Sequence, residues 1–164
     1  MEYYGYYENK YNNAVKSGNQ DVLEYFRQFG DETHCIQNAC HYEACKECGF
    51  TEPFHVNEYG WCDNGKLKVE TVPVFDGREY AQIHVAQLPN KRWVGECSIS
   101  ITNRGMGCMP SVFSESYETK DAAIKLMVCK INDFIRRNAK SPEVYLKETD
   151  YFWKHFNNEQ LTLF

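Results

Sequence analysis

Residues 79–88 and 92–102 alternate apolar with polar side chains, and only Pro89-Asn90-Lys91 separates them. This pair of segments constrains the fold more than any other feature. Alternation is the period of a strand with one buried face, and a connection this short can join only antiparallel neighbours. Ala81, Ile83 and Val85 share one face of the first segment. Trp93, Cys97, Ile99 and Ile101 share one face of the second. A further strand is expected over 67–75, where Pro73 marks a sheet edge or a bulge. Asp76-Gly77 then supplies a hairpin turn. Residues 103–107 read as a loop and 109–114 as a fourth short strand.

Helices follow. Thr119 is placed to cap one that runs to about Arg137, with Ile124, Met127, Val128, Ile131, Phe134 and Ile135 as its buried stripe. Ser141-Pro142 opens a second helix to about Phe156. The expected class is α+β: an antiparallel β-meander of three to four strands packed with C-terminal helices. It occupies residues 66–156. Ahead of it come a helical N-terminal segment, 1–30, and a Cys/His-rich segment, 31–65. Val22, Tyr25, Phe26 and Phe29 form an apolar helical face in the first of these, and Gly30 is its stop. In the second no periodicity is evident, so its order is expected to come from something other than an apolar face. A flexible docking tail, 157–164, closes the chain.

The chain has 164 residues and a formal net charge of −5, which argues against strong direct nucleic-acid binding. No apolar run reaches the roughly 20 residues of a membrane span. Met1-Glu2-Tyr3-Tyr4-Gly5-Tyr6-Tyr7 is not a secretory signal, so a cytoplasmic location is expected. Eight cysteines are then thiols or metal ligands rather than disulfides.

Five of the eight fall in 31–65, beginning His34-Cys35, then Cys40-His41, then Cys45-Lys46-Glu47-Cys48-Gly49. Thiolates are strong zinc ligands, and structural zinc takes four Cys or a Cys/His mixture. Cys45 and Cys48 with Gly49 behind them resemble a zinc knuckle, in which glycine lets the backbone turn toward the sulfurs. The expected ligands of a structural Zn2+ are Cys35, Cys40, Cys45 and Cys48, with Cys62, His34, His41 and His55 as alternates. Cys97 and Cys129 lie on or beside core faces, where burial accounts for them. A deaminase-like site would need His41-Tyr42-Glu43 well separated from Cys-x-x-Cys, and here they adjoin. A nucleophile pair of Cys62 or Cys108 with His84 has no particular support.

The last five residues are Gln160-Leu161-Thr162-Leu163-Phe164, behind the polar run Asn157-Asn158-Glu159. They resemble the bacterial sliding-clamp-binding motif, Gln-Leu-x-Leu-Phe. Gln160, Leu161, Leu163 and Phe164 fill its defining positions and Thr162 its variable one. The resemblance implies docking on the DNA sliding clamp, with the apolar side chains in a pocket and Gln160 hydrogen-bonded. It covers these five residues alone. No phosphate-binding loop, nucleophile elbow or dinucleotide fingerprint occurs elsewhere. The expected function is therefore a non-enzymatic accessory or modulator protein, of the kind phages and mobile elements encode. The alternatives are an inhibitor of a host defence or replication protein and, last, a metal-dependent nucleic-acid enzyme using Glu43.

Overall fold

The computed structural model describes residues 2–51 and 67–161, with the backbone alone at 2, 3 and 157–161. The chain divides into two compact units, Met1–Lys66 and Leu67–Phe164.

The described part of the first unit is helical: α1 (Glu2–Ser17), α2 (Gln20–Arg27) and α3 (Cys35–Glu47). Gly18 takes φ +68° between α1 and α2, a left-handed conformation that glycine adopts freely. Asn19 then caps α2, its side chain accepting the Val22 N–H at 3.3 Å. The unit closes around Phe26, which is fully buried. Rings of Tyr7, Tyr11 and Tyr25 stand edge-on to it at centroid distances of 6.4, 5.2 and 5.3 Å. Tyr7 and Tyr11 of α1 thus serve a ring-packed core while Tyr4 and Tyr6 are exposed, and α1 starts well before the expected helical piece at Asn12.

The second unit holds β1 (Glu70–Phe75), β2 (Tyr80–Gln87), β3 (Trp93–Ile101), β4 (Arg104–Gly107), β5 (Ser116–Tyr117), α4 (Lys120–Asn138) and α5 (Pro142–Leu161). The strands form an antiparallel sheet in the order β1-β2-β3-β4, with β5 also paired to β3. The class is α+β, as the alternation requires. The expected fourth strand is displaced. Residues 109–114 are not a strand, and the third hairpin closes earlier, at Thr102-Asn103, so that the expected loop becomes β4. Both turn residues have positive φ, +48° and +61°, as a two-residue hairpin turn of this hand demands. Pro73 lies on edge strand β1, where the register shifts between Pro73 and Phe75.

The core lies between the sheet and the two C-terminal helices. Ile83, Ile99, Ile101, Ile124, Met127, Ile131 and Ile135 are all at 1 % exposure or less. Thr119 caps α4 by accepting the Ala122 N–H at 3.1 Å. Gly95 admits the helix closely: a Cβ there would stand 3.3 Å from Met127 Cγ and 3.4 Å from Ala123 Cβ. On α5, Tyr145, Leu146, Phe152, Trp153 and Phe156 pack on the same core at helical spacing. Buried Thr149 lies among them and donates to Asn132 Oδ1 at 2.7 Å. No helix among the described residues is long and apolar enough to cross a membrane.

Candidate functional site

The Cys/His-rich segment is not irregular. Asp31 opens it: its Oδ1 accepts the N–H groups of Thr33 and His34 at 3.0 and 3.1 Å and meets His34 Nδ1 at 2.9 Å. The His34 ring, with those backbone donors, holds the Asp31 carboxyl below the ordinary range. His34, an alternate ligand, is thereby engaged with Asp31. Residues 35–47 then run as one helix, α3, which ends in a Schellman motif. Gly49 N–H donates to Lys46 O at 2.9 Å and Phe50 N–H to Cys45 O at 3.0 Å. Gly49 takes φ +87° in that motif. The glycine expected to turn the chain does so, as the terminator of a helix.

Helical geometry separates the four expected cysteine ligands. Ten residues of α-helix advance about 15 Å, so Cys35 and Cys45 stand that far apart along the axis. Zn–S bonds of about 2.3 Å place two sulfurs on one ion about 4 Å apart. Cys35, Cys40, Cys45 and Cys48 are therefore not one donor set. Cys35 instead packs with Phe26, Phe29 and Ala39, and its thiol donates to Glu32 O at 3.8 Å. Burial raises the Cys35, Cys40 and Cys48 thiols above their ordinary range. At Cys48 the neighbouring Cys45 and Glu47 add to the effect.

His41, Cys45 and Cys48 follow one another at four and three residues and so share a face of α3. Burial lowers the His41 imidazole, favouring the neutral ring that a metal requires. Among the described residues no three His, Cys, Asp or Glu side chains are grouped closely enough to hold a metal ion. Cys62 and His55 lie outside the described residues.

Comparison with family models, curated proteins and solved structures finds no match.

Glu43, the base of the enzyme alternative, accepts from Tyr25 Oη at 2.8 Å and from Lys46 Nζ at 3.4 Å. Burial and the Glu43 carboxylate together raise the Tyr25 hydroxyl far above its ordinary range. Cys97 is buried, as expected, and its thiol is pushed up to about 11 by burial. Cys129 is exposed, contrary to expectation, because it falls on the outer side of α4.

Gln160 and Leu161 lie in the described backbone of α5, which continues past the expected end at Phe156. The intervening Asn157-Asn158-Glu159 contains no glycine or proline to stop it. Thr162, Leu163 and Phe164 lie outside the described residues.

One polar feature had no signal in the spacing. On the sheet face turned away from α4, Thr71, His84 and Ser98 meet across three strands and their flanks. His84 Nδ1 is 3.1 Å from Thr71 Oγ1 and its Nε2 is 3.0 Å from Ser98 Oγ. Both ring nitrogens are thus occupied by hydroxyls rather than by Cys108. Register alone creates the cluster, since Thr71 pairs with His84 and the Ser98 side chain lies diagonally across.

Proposed function

We propose that this is a non-enzymatic accessory protein that docks on the bacterial DNA sliding clamp through Gln160-Leu161-Thr162-Leu163-Phe164. One observation carries the reading. Among the residues whose side chains are described, the core-facing stripe of α5 runs to Phe156; in the sequence four polar residues follow, and the chain then reads Leu-Thr-Leu-Phe. An apolar tripod behind a polar spacer is the pattern of a docking peptide with few dominant anchors. Docking would raise the local concentration of the protein at DNA, which suits an acidic chain with a formal charge of −5. The test is calorimetric titration of a sliding clamp with the full chain and with its Leu163→Ala/Phe164→Ala variant. Loss of binding of at least about tenfold in the variant is expected, a change of about 1.4 kcal/mol. Equal affinity, or none for either chain, refutes the reading.

A structural zinc is proposed on narrower terms than the sequence suggested. Cys45 and Cys48, three residues apart at the end of α3, are the expected donors that helical rise leaves nearest to each other. Cys62 and His55 are the sequence candidates to complete the set. A bound zinc would supply cross-linking of the chain, with its thiolates deprotonated on binding. Metal content per chain tests this. Cys45→Ser/Cys48→Ser should lose the zinc and Cys35→Ser should keep it. A wild-type protein purified without metal, folded and stable to chelator, refutes the proposal.

A further inference from the structure

The β1–β2 turn and the β3–β4 turn lie side by side at one end of the sheet. Between them is a cavity of about 500 Å³ lined by Arg78, Glu79, Ser100, Thr102 and Asn103. That volume lies within the usual range for small-molecule sites and exceeds what a bare inorganic ion requires.

Its walls are held in place before any ligand arrives. Glu79 Oε1 accepts the Thr102 N–H at 2.7 Å, and Oε2 accepts the Tyr145 hydroxyl at 2.6 Å. Thr102 is β-branched and yet sits at φ +48°, a conformation that such residues rarely adopt. Besides the Glu79 contact, its hydroxyl donates to Asn138 O at 3.3 Å. Strain of this kind persists where surrounding contacts over-determine it. Gly105 lets β4 lie close against β3 behind Ser100. It pairs with Ser100, and a Cβ there would stand 3.0 Å from Ile99 O and 3.8 Å from Ser100 Cβ.

The charges in the cavity point to one kind of ligand. Both Glu79 oxygens already accept hydrogen bonds within the protein, so this carboxylate is a fixed part of the wall. Arg78 is exposed; its charge acts on the neighbouring Glu79 carboxylate, and among the described residues no salt bridge engages its guanidinium. A guanidinium fork matches a phosphoryl group better than it matches a neutral ligand. Ser100 and Asn103 add a hydroxyl and an amide that can both donate and accept, which suits ligand hydroxyls.

We propose that this cavity binds a small sugar phosphate, with its phosphoryl oxygens on Arg78 and its hydroxyls on Ser100 and Asn103. The site is independent of the docking segment and does not rest on clamp binding.

The test is a ¹H–¹⁵N NMR titration of the full chain with ribose 5-phosphate, ribose and inorganic phosphate at constant ionic strength. Saturable shifts at the Thr102 and Asn103 amides are expected with ribose 5-phosphate, at a Kd of about 1 mM. Ribose should produce none, and inorganic phosphate should bind several-fold more weakly. Arg78→Ala, at an exposed position, should weaken binding at least about tenfold with the rest of the spectrum unchanged. Ser100→Ala should weaken it less. Absence of saturation, equal affinity for inorganic phosphate, or unaltered binding by Arg78→Ala would each overturn the proposal.

Discussion

Tyr145 Oη donates to Glu79 Oε2 at 2.6 Å, joining α5 to the β1–β2 turn across 66 residues of sequence. The same carboxylate receives the Thr102 N–H, so one side chain ties both hairpin ends to the helix layer. The Tyr145 hydroxyl is the main cause of the lowered Glu79 pKa, with the Thr102 N–H second. A carboxyl whose folded pKa is depressed adds stability above its unfolded value, about 4.3, and loses it as pH falls through the folded value. Tyr145→Phe should therefore lower the melting temperature by a few degrees at pH 7. The difference from wild type should shrink as the pH is taken below about 4. Thermal melts across that range check it, and a pH-independent difference would contradict the assignment.

His84 makes the mildly acidic range informative. Its imidazole is buried between two hydroxyls and its pKa is lowered by that burial. The unfolded chain then binds a proton that the folded one resists, so stability falls as pH drops below the ordinary histidine value of about 6.5. Burial lowers His41 as well, in the same direction. His84→Gln should show a smaller loss of stability between pH 7.5 and 5 than wild type does. Urea denaturation at the two pH values measures this.

Two glycines should respond in opposite ways. Gly95→Val drives a branched side chain into Met127 and Ala123 and should cost about 1–3 kcal/mol. Gly5 lies within α1 with nothing within 4 Å of its missing Cβ. Gly5→Ala should stabilise the first unit by about 0.5–1 kcal/mol. Denaturant midpoints for each unit, followed by site-resolved NMR, distinguish the two effects.

In the first unit, Asn38 is buried and donates from Nδ2 to Phe29 O at 2.8 Å. Asn38→Leu would leave that carbonyl without its donor and should cost about 1–3 kcal/mol. A cost near zero would show that the Phe29 carbonyl finds another partner.

Thiol labelling distinguishes the cysteines. Cys108 and Cys129 are exposed, whereas Cys35, Cys40, Cys45, Cys48 and Cys97 are buried. Peptide mapping after brief labelling of the native protein should find the first two modified and the other five largely protected. Rapid labelling of Cys35 would refute its place beside Phe26.

The strands β2 and β3, the Thr119 cap and the stripe of α4 were legible from sequence because each rests on near neighbours. Alternation, a short turn and a capping hydroxyl are all local in origin. α3 was not legible. Its buried residues, Cys35, Asn38, Ala39, Cys40, Ala44 and Cys45, surround the helix instead of lining one stripe, so no 3.6-residue period emerges. The same cysteines read as a ligand cluster when distance along the chain stands in for distance in space. β4 was equally hidden, since Arg-Gly-Met-Gly has no strand propensity and its pairing depends on the turn before it.

The order of the meander and the composition of its core follow from the pattern of side chains along the chain. The C-terminal pentapeptide proposed to dock is likewise a property of sequence. Three other relationships arose only in three dimensions. One is the separation of Cys35 from Cys45, another the Thr71–His84–Ser98 cluster, and the third the cavity beside Arg78. Each depends on helical rise, strand register or the meeting of two turns, and these set distances between residues that local pattern leaves free.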